Sequence, residues 1–424
     1  MIKADVLIIG AGVSGLMAAR VASKKGEKVI VLEARSRIGG RIATSSPKGF
    51  SKPLEEGAEF IHGELPITEA LLKEAGLASF SMEGKTYQVE KGKLQESGEF
   101  IEGFPQLISE LENLKEDMAF SDFLDKYFAG EQYKVLRDSV IRYAQGYDAS
   151  DIKRVSSIAL RDEWKNESEA APTRIKGGYK KLVEFLAEES KKLGCDIQLS
   201  SVAKVIRWKE GSVEISCEDG RTFLAPKVLI TVPLGVLQSE KDSKGHIEFQ
   251  PEIPEAVKAF KSMGFGSVIK LFLEFKYRFW EKDKAPDLGF LLSDADVPTW
   301  WTQMPDEVPV LTGWIAGPES EKLSELNENE IIDKALHSLA YVFGTDVQIL
   351  KEQLVSSKAV NWNKDPFALG AYAYTTVEAK EALKVAMEPV KDTIYCAGEA
   401  FYMGSAMGTV EGALSSGRDI AEKL

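Results

Sequence analysis

A glycine-rich turn between two apolar segments near the start of the chain constrains the fold more than any other feature. Residues 4–9 form a short apolar run rich in β-branched residues, and the motif Gly10-Ala11-Gly12-Val13-Ser14-Gly15 follows directly. Residues 16–25 have a helical pattern, and a second apolar run at 28–32 ends at Glu33. This order of strand, turn, helix and strand, closed by an acidic residue, predicts a Rossmann-like α/β unit that binds a dinucleotide.

Each position of the turn has its own physical task. Gly10 permits the tight turn, Gly12 lets the backbone approach a pyrophosphate, and Gly15 allows the helix to pack closely on the strand. The helix N-terminus offers unpaired N–H groups and the positive end of its dipole to the phosphates. We expect Glu33 to accept hydrogen bonds from an adenosine ribose. Because its carboxylate would repel a 2′-phosphate, NADP is disfavoured.

A second glycine pair follows soon after the ribose carboxylate, in the segment Ala34-Arg35-Ser36-Arg37-Ile38-Gly39-Gly40-Arg41. Nicotinamide dehydrogenases do not need this second loop, whereas an extended FAD needs further contacts along its pyrophosphate and ribityl chain. An ordinary Gly-Gly turn is the alternative interpretation.

The composition bounds the class of protein. At 424 residues the chain is longer than a single core usually supports, so two domains are expected. A net charge of -13 argues against nucleic acid as a partner, because duplex binding relies on basic side chains that neutralise phosphates. Three cysteines and three histidines at wide spacing indicate neither a disulfide framework nor a metal centre. The start of the chain lacks the pattern of a signal peptide and no apolar stretch is long enough to span a membrane, so we expect a cytoplasmic protein.

Segments spread over almost the whole chain carry a family resemblance. Besides GAGVSG they are LEARSRIGGR at 32–41, EEGAEFIHG at 55–63, IKGGY at 175–179, SSVAKVI at 200–206, LITVPLGVL at 229–237, GSVIKLFLEF at 266–275, WNKDPFALGAY at 362–372 and YCAGEAFYMGSAMGTVEGALSSG at 395–417. In these segments the chain resembles the flavin-dependent amine oxidases, which include monoamine oxidase, polyamine and spermine oxidases and the lysine-specific histone demethylase. It looks like a soluble, bacterial-type member.

The resemblance implies a fold of the α/β plus α+β class with two interleaved domains. A Rossmann-like FAD-binding domain of the glutathione-reductase-like type is expected at 1–75, 173–235 and 361–424. A substrate domain of mixed sheet and helices, including a helical part, is expected at 76–172 and 236–360.

The resemblance also implies that FAD is the cofactor and that it is bound non-covalently. Monoamine oxidases tether the flavin through a cysteine immediately before a tyrosine, and Ala371 stands at that position here. The residues that the motifs and the resemblance place against FAD are Gly10, Gly12, Ser14, Gly15, Glu33, Ala34, Arg35, Gly39, Gly40, Arg41, Gly57, Ala58, Glu59, Val202, Trp362, Gly398, Glu399, Gly408, Thr409 and Val410. Among them, the helix that begins near Gly408 is expected to aim its positive end at the flavin ring.

Four residues are the catalytic candidates. Lys270 lies in an apolar strand-like run, where a lysine either reaches towards water along a sheet rim or points into a cavity. In the family this lysine hydrogen-bonds a water that also contacts flavin N5, and we expect burial to favour its neutral amine. Tyr372 matches one wall of the family's aromatic cage, and Thr409 aligns with the opposite wall. His62 matches a histidine of spermine oxidase that could orient an amine in the substrate channel; a purely structural histidine is the alternative.

Together these features imply an oxidase that converts an amine to an imine, then to an aldehyde, and passes the electrons to dioxygen to give hydrogen peroxide. The partners are then a small-molecule amine and dioxygen, with polyamines or other alkyl or arylalkyl amines as substrates; a homodimer is compatible with this. A desaturase or protoporphyrinogen-oxidase-like enzyme would share the FAD loops. An L-amino acid oxidase and a non-catalytic FAD-binding module are two further interpretations of the same motifs.

Overall fold

The computed structural model of the chain describes residues 2–63, 65–90, 92–97, 101–166, 171–282 and 284–424. In these residues the strands, numbered β1 to β23 in chain order, are Ile2–Lys3, Val6–Ile9, Val29–Leu32, Thr44–Ser45, Leu54–Glu55, Ser79–Ser81, Lys85–Glu90, Lys93–Glu96, Thr173–Ile175, Asp196–Gln198, Ala203–Lys209, Ser212–Cys217, Thr222–Ala225, Lys227–Ile230, Glu248–Gln250, Gly264–Phe265, Val268–Phe275, Leu288–Leu292, Thr299–Trp301, Val310–Ala316, Leu354–Asn361, Ala373–Tyr374 and Ile394–Cys396.

The α-helices of the described residues, numbered α1 to α14, are Val13–Lys24, Pro66–Ala75, Phe104–Glu112, Phe120–Tyr127, Lys134–Gly146, Ser157–Asn166, Lys180–Lys192, Leu234–Leu237, Pro254–Ser262, Pro318–Leu323, Glu328–Phe343, Val347–Gln353, Ala379–Met387 and Val410–Ala421. Short 3₁₀ turns lie at Glu131–Tyr133, Phe279–Glu281 and Glu399–Phe401. Across the described ranges, each helix is too short or too polar to cross a bilayer.

A parallel five-stranded sheet carries the predicted dinucleotide unit. Its strand order is β10-β3-β2-β14-β23, so the first strand of the unit, β2, lies in the middle. Strands β2 and β3 are buried along their whole length, as their continuous apolar sequences predict for a sheet covered on both faces. Helices α1, α7 and α14 pack together against this sheet, and their small residues allow the close approach. The predicted strand, turn, helix and strand order is therefore confirmed.

A seven-stranded mixed sheet forms the second layer. Its order is β21-β17-β20-β19-β18-β7-β8, and its neighbours are antiparallel except for the parallel pair β18 and β7. Strand β17 holds Lys270 near its middle and is flanked by β20 and β21, so it is an interior strand. All eight of its residues are buried, which excludes the rim position that would let the lysine reach solvent.

A second five-stranded sheet, β1-β13-β12-β11-β15, packs beside the parallel sheet around Ile206, Ile215 and Phe223. Helices α3 to α6 form a separate cluster around Phe120, Phe123 and Leu107. The observed architecture is the mixed α/β plus α+β arrangement that the resemblance implies. The domain boundaries stay a prediction: β15 falls in a range assigned to the substrate domain, yet it pairs with β11.

Candidate active site

One large cavity lies between the parallel sheet, the seven-stranded sheet and the helical cluster. Its volume is about 1330 Å³, which exceeds the roughly 300 to 1,000 Å³ of an ordinary small-molecule pocket. Both glycine loops lie at one end, and Lys270 and Tyr372 lie in its wall. The cavity therefore has room for an extended dinucleotide together with a second, smaller molecule.

The first glycine turn has the shape that a pyrophosphate requires. A Cβ atom on Gly15 would lie 2.0 Å from the Gly10 carbonyl oxygen, so helix α1 meets its strand only without a side chain there. By contrast, a Cβ on Gly12 would meet no protein atom within 4 Å, because Gly12 faces the cavity. The Ser14 hydroxyl is buried in the first turn of α1 and has no hydrogen-bond partner in the described part of the chain. An unpartnered donor above a helix N-terminus suits a phosphate oxygen.

Glu33, the carboxylate expected to bind the ribose, and the second glycine loop both contact this turn. Glu33, at the end of β3, accepts hydrogen bonds from the backbone N–H groups of Ala11 and Arg35, both at 2.8 Å, and also lines the cavity. The Gly39 N–H donates to the Ala11 carbonyl at 2.8 Å, which brings the two loops side by side. These residues fit an extended FAD, with the adenosine end at Glu33 and the second loop along its length.

Two arginines among the predicted cofactor residues are held by carboxylates. Arg41 pairs with Glu399 at 2.7 Å and also donates to the Ala371 carbonyl. Arg35 pairs with Asp365. These two arginines therefore organise the loops around the cavity in addition to lining it.

Thr409 has a structural task that the resemblance did not imply. Its hydroxyl accepts a hydrogen bond from the Gly412 N–H at 3.1 Å, so it caps the N-terminus of α14. Gly408, just before it, approaches the Tyr372 ring: a Cβ there would lie 3.5 Å from that ring. The beginning of α14 therefore lies beside Tyr372 in the cavity wall, where its positive end faces the space expected for the flavin.

Lys270 is in contact with charged as well as apolar side chains. Its side chain is 1% exposed, and its Nζ donates to Glu59 Oε2 at 2.6 Å and to the Gly57 carbonyl at 3.1 Å. Glu59 Oε1 in turn contacts Arg174 Nη2 at 2.6 Å and accepts from Trp301 Nε1 at 3.2 Å. Because a carboxylate neutralises the ammonium, burial alone does not decide the lysine's charge. We call Lys270, Glu59, Arg174 and Trp301 the buried charge cluster.

Two carboxyl groups in and beside this cluster have displaced pKa values. Burial alone would raise the pKa of Glu59, but the charges of Lys270 and Arg174 outweigh it and lower the pKa to about 2. Burial raises the pKa of Glu55 to about 7, although the Thr44 hydroxyl donates to its carboxylate. Glu59 is therefore ionised at all ordinary pH values, whereas Glu55 titrates near neutrality.

Tyr372 and His62 both lie beside Tyr147 in the cavity wall. Burial raises the pKa of Tyr372 well above its usual value, and its hydroxyl donates to the Tyr147 carbonyl. The His62 ring faces the cavity, 6.0 Å from the Tyr147 ring in an edge-on arrangement. Surrounding protein lowers the pKa of His62 to about 4, so its imidazole is neutral near pH 7. A neutral imidazole there can accept a hydrogen bond from an amine.

All but one of the predicted site residues line this single cavity. The exception is Gly15, which lies behind the turn and has a packing role. The individual roles stay predictions. Sequence reasoning missed Arg174 and Glu55, and it assigned Glu59 only to the cofactor. Arg174 comes directly before the IKGGY segment, but neither that segment nor the short strand β9 indicates an ion pair with Glu59.

A parallel sheet with two glycine loops, and a buried lysine in the wall of the same cavity, define the class of dinucleotide-dependent oxidoreductases. Comparison with known proteins narrows this class to one family. A family model described as "Flavin containing amine oxidoreductase" matches residues 13–424. The chain belongs to this family, and its cofactor is a flavin.

Two relatives align with nearly the whole chain. Human lysine-specific histone demethylase 2 is 29% identical over 463 residues, covering 99% of this chain and 53% of that protein. Probable polyamine oxidase 4 of Arabidopsis thaliana is 28% identical over 455 residues, covering 99% of this chain and 87% of that protein. The chain thus spans about half the length of the human demethylase and most of the plant protein.

Solved structures show the same fold. A putrescine oxidase with putrescine bound superposes with a TM-score of 0.81 at 21% identity, covering 100% of this chain and 99% of that one. Cyclohexylamine oxidase from Brevibacterium oxydans gives a TM-score of 0.80 at 20% identity, covering 99% of this chain and 98% of that one. The predicted family and fold class are confirmed.

Proposed function

We propose that this protein oxidises a polyamine or another long alkylamine to an imine, with non-covalent FAD as cofactor and dioxygen as electron acceptor. Water then hydrolyses the imine to an aldehyde, and hydrogen peroxide is the second product. The observation that carries the proposal is the placement of Lys270, Tyr372 and several carboxylates in the wall of the cavity that also holds the two glycine loops.

The carboxylates favour a substrate with more than one positive charge. Asp148, Asp162, Glu163 and Asp294 line the cavity, as does Arg142, and Asp162 is paired with Arg161 at 2.7 Å. The charges of Asp148 and Glu163 also act on the Tyr372 hydroxyl, so both lie near the cage tyrosine. Negative potential in a cleft concentrates cations. The polyamine oxidase among the relatives, and the putrescine oxidase among the structures, support the same substrate class.

The chain's own residues would bind and orient the amine. Tyr372 presents a ring that tolerates a cationic or polar nitrogen by cation–π attraction. Neutral His62 accepts a hydrogen bond from the reacting amine. The rings of Phe60, Phe290 and Trp301 contact one another in the wall and exclude water from the reacting carbon. Bound FAD supplies the two-electron acceptor for the α C–H bond.

Ala371 supports the non-covalent assignment. It lies in the cavity wall directly before Tyr372, and it offers no sulfur to a flavin. The three cysteines are buried and free, and Cys396 lies on β23 away from this position. We expect acid precipitation of the purified protein to leave all of its yellow flavin in the supernatant. Flavin retained in the pellet would contradict this part of the proposal.

The test is anaerobic mixing of the FAD-loaded protein with a panel of putrescine, spermidine, spermine, benzylamine, tryptamine and L-amino acids, followed by visible absorbance. We expect the polyamines to bleach the flavin faster than benzylamine, and readmitted oxygen to restore the spectrum with one hydrogen peroxide per turnover. Bleaching by L-amino acids alone would identify an amino acid oxidase. A flavin that stays oxidised with every amine would overturn the proposal.

A further inference from the structure

The buried charge cluster has a geometry that a lysine merely packed in a core would not need. The ammonium of Lys270 has three N–H donors, and two of them are directed at Glu59 and at the Gly57 carbonyl. No other hydrogen-bond acceptor for this ammonium exists among the residues that the structure describes, and Lys270 lines the cavity. Its Nζ also lies 5.3 Å from the Trp301 ring centre and 5.5 Å from the Phe272 ring centre, so the third N–H faces these rings and the cavity that Trp301 helps to line.

Arg174 holds the carboxylate from the other side. Its guanidinium contacts Glu59 at 2.6 Å, donates to the Thr302 carbonyl at 3.2 Å, and lies 4.9 Å from the Phe60 ring centre. The side chain of Arg174 is 7% exposed and that of Glu59 is 4% exposed. Arg174 therefore lowers the pKa of Glu59 together with Lys270, whose effect is the larger of the two.

The charges next to Lys270 decide whether its ammonium or its neutral amine is favoured. A lysine buried alone loses its proton readily, because burial penalises the ammonium. An adjacent carboxylate at 2.6 Å reverses this preference, and removal of one member of a buried pair leaves an uncompensated charge. Charge compensation and orientation thus both depend on Glu59.

We propose that Glu59 is a positioning residue that holds Lys270 as an ammonium with one N–H directed into the cavity, and that Arg174 secures Glu59 for this task. The inference rests on the proposed function, since it gives Lys270 its task beside the flavin. In this arrangement Lys270 is a fixed hydrogen-bond donor and positive charge.

The titratable and charged groups that face Lys270 are Glu59, Glu55 and Arg174. Because Glu55 itself titrates near neutrality, the test uses the Glu55→Gln background. The oxidised flavin spectrum of the FAD-loaded protein is recorded without any amine from about pH 6 to about pH 9 in three proteins: E55Q, E55Q/E59Q and E55Q/E59Q/K270M. Since no substrate is present, failure here is distinct from failure of the amine panel.

We expect a constant spectrum in E55Q, a one-proton transition in E55Q/E59Q, and a constant spectrum again in the triple variant. This pattern would show that Lys270 keeps its proton because of Glu59. A constant spectrum in E55Q/E59Q would overturn the inference, and so would a transition in E55Q that the further change Lys270→Met abolishes.

A second variant keeps the inference testable if the glutamine variant does not fold. Glu59→Ala removes the same charge and leaves a smaller side chain that makes no hydrogen bond to Lys270. In the E55Q background, Glu59→Ala is expected to give the same Lys270-dependent transition between about pH 6 and about pH 9. A flat titration with Glu59→Ala would overturn the inference.

Discussion

The carboxylate of Glu411, in the first turn of α14, accepts hydrogen bonds from both the backbone N–H and the hydroxyl of Thr68 in the first turn of α2, at 2.8 and 2.7 Å. Its other oxygen accepts from the Ile67 N–H at 2.8 Å. One buried side chain therefore caps α2 and fixes the helix whose N-terminus faces the cavity.

Glu411→Gln should weaken the contact between α14 and the start of α2. An amide has one acceptor oxygen where the carboxylate has two, so at least one buried N–H loses its partner, at a cost of about 1 to 3 kcal/mol. We expect a lower midpoint of thermal unfolding and weaker FAD binding, measured by calorimetry and by flavin release on dilution. The exposed Glu422 at the other end of α14 provides the control, Glu422→Gln. Equal effects of the two changes would refute the capping role.

Gly12→Ala and Gly15→Ala should fail in different ways. Alanine at Gly12 meets no protein atom and suits its φ of -73°, so the apoprotein should fold normally and FAD binding should weaken. Alanine at Gly15 would clash with the Gly10 carbonyl and should destabilise the fold itself. Circular dichroism of the apoproteins and FAD titration separate the two effects. Unweakened FAD binding by Gly12→Ala would show that the cofactor does not approach this turn.

Lys270→Met should retain FAD and lose turnover or oxygen reactivity by at least about tenfold, roughly 1.4 kcal/mol of barrier. The variant removes the donor from the cavity wall and leaves a side chain of similar length. Stopped-flow measurement of both half-reactions gives the loss, and Lys276→Met, at an exposed position just beyond β17, is the matched control. Wild-type rates of the Lys270→Met variant in both half-reactions would show that Lys270 has only a structural role.

Glu55 should make stability depend on pH. Its pKa of about 7 in the folded protein lies above its ordinary value of 4.5, so the folded state binds the proton more tightly. This contribution is fully present below about pH 4.5 and is lost as pH rises through 7, by about 3 kcal/mol at most. Denaturant unfolding of Glu55→Gln across this range should show a flatter pH dependence than the wild type. Glu83→Gln, an exposed change, should leave the slope unaltered.

Glu163→Gln should discriminate between substrates. Loss of a negative charge near Tyr372 should raise KM for putrescine or spermidine by about three- to tenfold, roughly 1 kcal/mol, and leave benzylamine almost unaffected. Steady-state oxygen consumption measures both. Equal changes in KM for the diamine and the monoamine would show that Glu163 does not recognise a second ammonium group.

The sequence predicted those parts of the site that depend on local geometry. The glycine turn can be recognised because each glycine has a steric reason, and the structure confirms those reasons at Gly10 and Gly15. The buried strand around Lys270 followed from apolar residues on both of its faces, and all eight residues are buried.

What the sequence did not predict depends on residues that meet only after folding. Glu59, Arg174, Lys270 and Trp301 come from four distant segments, and nothing near any of them indicates the others. The apolar strand alone predicts a neutral Lys270. Its apolar neighbours do not indicate that Glu59, from a distant loop, contacts the lysine. Charge balance in a cavity is a tertiary property.

The strand order of the parallel sheet has a consequence for synthesis on the ribosome. Strand β14 lies between β2 and β23, and the Gly39 loop and Glu399 reach the same cavity from opposite ends of the sequence. The first glycine turn therefore leaves the ribosome long before the helix that completes the flavin site. Nascent chains would carry an unpaired edge of β14 until β23 is synthesised, so the FAD-binding sheet can be completed only after most of the described residues have been made.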